Sequence, residues 1–185
     1  MVNTNQSSFE YKRRYKIAIV GKRGSGKTTL ANYLAKENHF QVVKFSDPFD
    51  RICRKINGIE HYDRELISSL GKEIRRELPE FQNIVMTNYL NSTDQSIIIE
   101  GLRFQEELEF CRNHNFLLVW LKIDCQLQIE RLEDRYRDPE ILLREINHQD
   151  ENLLHGDCMY DLEINSEIST EEQANAIIRH LEVDF

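Results

Sequence analysis

"YKIAIVGKRGSGKTTLANYL", residues 15–34, sets three glycines, two lysines and two threonines between a short apolar run and an amphipathic pattern. The spacing of Gly21, four residues, Gly26, Lys27 and Thr28 fits the P-loop, in which a strand turns into a helix around a nucleotide's phosphates. Glycines at 21, 24 and 26 let the backbone approach a ligand closely and present successive N–H groups to phosphate oxygens. Lys27 would add a point charge beside the β and γ phosphates, and the Thr28 hydroxyl suits Mg2+ that bridges them. Ser25 and Thr29 complete the expected binding set. Leu30 and Leu34 open the helix that this motif requires, which separates it from a glycine turn that merely joins two elements.

The elements around this loop repeat its strand-helix alternation. "FLLVWLKI" (116–123), "VVKF" (42–45) and "SIIIE" (96–100) are, like residues 15–20, apolar on both faces, as strands buried in a parallel sheet are. Helical patterns separate them, so the sequence predicts an α/β fold, a doubly wound parallel sheet of about five strands with helices on both faces. In "DPFDRICRKING" (47–58), Asp47 can cap a helix, Phe49, Ile52, Cys53 and Ile56 form its apolar stripe, and Gly58 can close it. In "DRELISSLGKEIRREL" (63–78), Asp63 can cap, Ile67, Leu70, Ile74 and Leu78 share a face, and Pro79 marks the end. Gly71 inside that helix costs about 1 kcal/mol relative to alanine, which points to close packing or ligand approach. A further helix is expected around Phe81, Ile84, Val85 and Tyr89. The tail from Tyr160 reads as a strand, then a helix opened by a Ser169/Glu172 capping box with Ala174, Ile177 and Leu181 facing the core.

The chain has 185 residues and is 40% hydrophobic, which suits one domain with a sizeable core. Residues 15–185 form that domain in this reading, after a loosely ordered polar arm at 1–14. Its formal charge of −8 disfavours non-specific attraction to nucleic acid or to an anionic membrane, and points to a small anionic partner. No apolar run reaches membrane-spanning length. Cys53, Cys111, Cys125 and Cys158 show no metal or redox spacing, as expected of reduced thiols in the cytoplasm.

Two further stretches bear on chemistry. "SIIIEGLRF" ends a buried strand with Glu100, where P-loop proteins place a carboxylate that holds Mg2+ through water. Arg103 follows; in the plainer reading it starts a helix and pairs with Glu106 or Glu107. "QIERLEDRYRDPE" sets Arg131 and Arg135 four apart on one helix face, before Asp138 and Pro139 restart a helix. These arginines can form a lid, about residues 131–139, that neutralises charge on a transferring group. Solvated pairs with Glu130 and Asp134 are the alternative.

Together with "GKRGSGKT", the stretches "KFSDPFDRI", "LGKEIRREL", "GLRFQEELEF" and "HQDENLL…MYDLEIN" resemble the nucleoside monophosphate kinase group of P-loop kinases, most closely the phage-type deoxynucleoside monophosphate kinases. Dephospho-CoA kinases are nearby. The resemblance implies phosphoryl transfer dependent on ATP and Mg2+, with Lys27, Glu100, Arg131 and Arg135 in catalytic roles and Thr28 and Glu100 serving the metal. It implies an acceptor-binding insertion at about 47–92, and an acceptor pocket involving Asp47, Arg76 and Arg103. Phage-type relatives tend to carry an aspartate where this chain has Gly101, so Glu100, one position earlier, is expected to stand in for that acid. The acceptor implied is a nucleoside or deoxynucleoside monophosphate. A hydroxyl acceptor such as dephospho-CoA, with Asp47 as base, is the alternative enzyme, and a non-catalytic nucleotide-binding module is the alternative of another class.

Overall fold

The computed structural model describes residues 13–57, 64–146, 154 and 160–184. In chain order its elements are β1 Lys16–Val20, α1 Lys27–Asn38, β2 Gln41–Lys44, α2 Asp47–Asn57, α3 Arg64–Glu77, α4 Phe81–Asn91, β3 Ile97–Glu100, α5 Gln105–Asn113, β4 Leu117–Lys122, α6 Cys125–Arg135, α7 Pro139–Ile146, β5 Leu162–Asn165 and α8 Thr170–Asp184. The strands form one sheet in the order β2-β3-β1-β4-β5, and each neighbouring pair is parallel.

Strand alternation explains why both faces are covered. Ile17, Ile19, Ile98, Leu117, Val119 and Leu121 point toward Leu30 and Leu34 of α1 and Ile177 and Leu181 of α8. Ala18, Val20, Ile97, Ile99 and Leu118 point the other way, onto Met86 and Leu90 of α4 and Leu108 and Phe110 of α5. Burying each leucine or isoleucine contributes about 1.5–3 kcal/mol, so continuous apolar strands specify this layered arrangement strongly. A smaller cluster of Phe49, Cys53 and Ile67 joins α2 to α3, with Phe81 of α4 packed against it. From β1 the chain crosses to β2 and β3 on one side, then to β4 and β5 on the other. A crevice opens at the carboxyl ends of the strands where that direction reverses.

Several local expectations change in detail. The buried face of α4 is Gln82, Met86 and Leu90, while Ile84 is 57% exposed. Two stripes of that helix are apolar enough to be buried, and its approach to the sheet selects the one containing Gln82. Leu78 lies beyond the end of α3 and is exposed. Asp47 does not cap α2: its carboxylate accepts the Lys44 N–H at 2.8 Å, and Ser46 O accepts Asp50 N–H at the helix start. The Ser169/Glu172 box forms as expected, with Glu172 N–H donating to Ser169 Oγ and Ser169 N–H to Glu172 Oε2. Asp138 accepts the Glu140 N–H at the start of α7. Asp63, Gly58, Cys158 and residues 1–12 of the expected arm lie outside the described residues. Arg14 is fastened by bonds to the carbonyls of Gln95 and Leu90. Cys53 and Cys111 are buried free thiols and Cys125 is an exposed one. No helix among the described residues is long and apolar enough to cross a membrane.

Candidate active site

The crevice is a cleft of about 740 Å3 running from the loop at Gly21–Thr29 to α3 and the start of α5. At one end, Gly26 precedes α1 with φ 93°, a left-handed conformation that glycine adopts without steric cost. The turn aims the start of α1 into the cleft. Lys27 Nζ donates to the carbonyls of Gly21 at 2.6 Å and Lys22 at 2.8 Å, so its ammonium sits inside the curve of the loop.

The neighbouring strands bring an acid to the same point. Parallel register sets Glu100 beside Ile19 of β1 and Lys44 of β2. Thr28 Oγ1 donates to Glu100 Oε2 at 2.8 Å, and Lys44 Nζ lies 3.2 Å from Glu100 Oε1. A buried carboxylate is costly unless paired, and these two contacts compensate it. A hydroxyl and a carboxylate beside a phosphate loop are hard oxygen donors, which fits Mg2+. Thr28 and Glu100 are the residues that would serve such an ion, whose chemistry would be to neutralise phosphate charge.

Gly101 follows with φ 77°, and a Cβ there would meet nothing within 4 Å. Its role is therefore conformational: it turns the chain between Glu100 and Arg103. We expect Gly101→Ala to lower stability by about 1–2 kcal/mol, measured by urea unfolding, from left-handed strain alone. An unchanged midpoint would show that the turn relaxes without cost.

Arg131 is held as a strut. Its guanidinium donates to Gly24 O, Ser166 Oγ and Ser166 O, while Ser166 Oγ donates to Ser25 O at 2.6 Å. Gln128, one turn earlier, donates to Arg23 O. Helix α6 thereby braces the phosphate loop against the loop preceding α8, and Asp124 caps its start by accepting Gln126 N–H. Glu130, offered as a partner for Arg131, accepts instead from Gln126. Arg135 also lines the cleft, exposed beside the Tyr136 ring.

At the far end the structure departs from two expectations. Arg76 lies on the exposed face of α3, paired with Glu73 at 2.7 Å and Glu77 at 3.0 Å, and it does not line the cleft. Asp47 does not line it either, because its carboxylate is turned back to the end of β2. One residue along α3 points a side chain in a direction about 100° different, and Arg75 is the arginine that faces the cleft. Arg103 lines it too, and its backbone N–H donates to Glu107 Oε2 at 2.7 Å. Glu107 is buried, and burial pushes its carboxyl above the ordinary 4.5 despite the N–H groups of Arg103 and Phe104 and the nearby Arg75.

Sequence alone does not single out Lys44, Gln82 or Ser166, and of the adjacent Arg75 and Arg76 the resemblance takes Arg76. Lys44 had a usable signal, since it ends a strand that must neighbour another; Arg75 and Gln82 depend on which helix face turns inward, and Ser166 on how the turn after β5 meets α6.

A model of the AAA domain matches residues 17–154, which is most of the chain. The chain belongs to the AAA domain family. Solved structures similar to this AAA domain include shikimate kinase from Aquifex aeolicus vf5, at 19% identity and TM-score 0.54, covering 90% of this chain and 96% of that one. Shikimate kinase from Bacteroides thetaiotaomicron gives 18% identity and TM-score 0.58 over 91% and 99%. APS kinase from Mycobacterium tuberculosis, in complex with AMPPNP and APS, gives 17% and 0.53 over 92% and 99%. The likeness to these kinases is one of fold: a five-stranded parallel sheet with helices around it. No curated protein sequence matches this AAA domain.

Proposed function

We propose that this protein is a small-molecule kinase that transfers the γ-phosphoryl group of ATP, with Mg2+, to a nucleoside or deoxynucleoside monophosphate. The observation that carries the reading is the Thr28–Glu100 contact of 2.8 Å beside Lys27, at one end of a cleft whose other end holds Arg75 and Arg103. That layout gives a donor end built of backbone N–H groups and an acceptor end built of cations. In this reading Gly21, Gly24, Ser25, Gly26 and Thr29 cradle the donor phosphates. Lys27 and Arg135 neutralise charge as it moves, and Arg131 keeps the loop in shape. A monophosphate is already an anionic nucleophile, so positioning and neutralisation are what the protein must supply.

A hydroxyl acceptor would need a base, and Asp47 was the candidate for it. Its engagement with Lys44 N–H, outside the cleft lining, favours the monophosphate. The test is steady-state ATP consumption with nucleoside and deoxynucleoside monophosphates, dephospho-CoA, shikimate and no acceptor. We expect turnover with a monophosphate, and Asp47→Asn keeping most of it. Consumption only with a hydroxyl acceptor, or collapse of turnover in folded Asp47→Asn, overturns this acceptor assignment. Binding without acceptor-dependent consumption makes the protein a nucleotide-binding module.

A further inference from the structure

Helix α4 buries a glutamine where its neighbours on the same stripe are methionine and leucine. A buried amide costs about 1–3 kcal/mol when unpaired, so the contacts of Gln82 matter. Its Nε2 donates to Phe45 O at 2.9 Å and to Glu107 Oε1 at 3.1 Å, while its Oε1 accepts from Arg75 Nη1 at 3.2 Å. Glu107 uses its other oxygen for the Arg103 and Phe104 N–H groups. One buried pair thus joins the side chain of Arg75 to the backbone that carries Arg103.

The same guanidinium also lies over two aromatic rings. Arg75 Cζ lies 4.2 Å from the centroid of the Phe104 ring and 5.7 Å from that of Phe49. Gly71, one turn earlier, leaves the space: a Cβ there would come within 3.2 Å of Arg75 Nη2 and 3.4 Å of Phe49. The helix-interior glycine is therefore packed by Arg75. Two rings and an amide hold this cation in place, which is the preorganisation that binding a phosphate or carboxylate requires.

We infer that Arg75, not Arg76, binds the anionic group of the acceptor, and that Gln82 and Glu107 are positioning residues that hold it in place. The inference rests on the proposed kinase reading for the word acceptor, but it is tested by binding. Protein loaded with Mg2+ and AMPPNP is titrated by calorimetry with dAMP, dGMP, dCMP, dTMP and inorganic phosphate, each in turn. Wild type binds at least one. Arg75→Ala weakens that binding tenfold or more, Gln82→Leu weakens it severalfold, and Arg76→Ala leaves it within twofold. Affinity for AMPPNP stays constant across the set and reports that each variant is folded; should Gln82→Leu fail this check, Gln82→Met replaces it. In the Arg75→Ala background, Gln82→Leu has no further effect, which a merely structural role would not produce.

Wild type that binds none of the five anions overturns the inference. So does an Arg76→Ala loss equal to that of Arg75→Ala. Additive effects in the double variant overturn the positioning role of Gln82. Anion binding that follows the expected pattern, in a protein that consumes no ATP, sustains the inference while removing the kinase reading.

Discussion

Lys27→Ala should lower kcat/KM for ATP by on the order of 100-fold to 1,000-fold while the protein stays folded. The side chain follows directly on the start of α1, and its ammonium is held by two loop carbonyls, Gly21 and Lys22, inside the curve that phosphate would occupy. A charged donor already placed where phosphate charge gathers needs no reorganisation during transfer, which is why its removal falls on the nucleotide and not on the core. Ile17, Ile19 and Leu30, which hold the loop's flanking elements, are untouched. The measurements are binding of a fluorescent ATP analogue, turnover and the thermal midpoint. Unchanged affinity and turnover in Lys27→Ala would remove the phosphate-loop assignment altogether.

Glu100→Gln should cut Mg2+-dependent turnover by about 100-fold and raise the Mg2+ concentration needed for half-maximal rate, with a stability change within about 1 kcal/mol. The asymmetry follows from the partners. Taking a carboxylate out of water costs several kcal/mol, which Lys44 and Thr28 offset. Glutamine removes both the cost and the compensation. The side chain of Lys44 is 47% exposed, so it is left in water and not stranded in the core. A glutamine can still accept from Thr28 but brings no charge to a metal's water shell. Urea unfolding and a Mg2+ titration on the same preparation separate the two effects. Parallel loss of folding and activity would make Glu100 a structural residue.

The far end of the cleft shows how much less of a site is legible when it is assembled from helices. Both Arg75 and Arg76 are plain in "LGKEIRREL", and sequence resemblance selects Arg76. Only the docking of α3 against α2 and α4 shows that Arg75 faces Phe49, Phe104 and Gln82. In α4 the apolar period admits two faces, and the structure buries the one with the glutamine. Glu107 was legible as a partner for Arg103, and the contact includes the Arg103 backbone N–H.

What the sequence by itself determined is the phosphate-loop end of the cleft. Four apolar strands, the phosphate loop after the first of them and a carboxylate ending the third follow from local patterns. Buried parallel strands must be apolar on both faces, and a loop that approaches phosphate must be glycine-rich at fixed spacing. The tertiary structure alone decided which neighbours meet. Strand order places Lys44 beside Glu100, and the turn after β5 brings Ser166 against Arg131 of α6. It also settles which of two adjacent arginines enters the cleft. Those outcomes depend on contacts between residues far apart in the chain, which hydrophobic period and residue spacing do not encode.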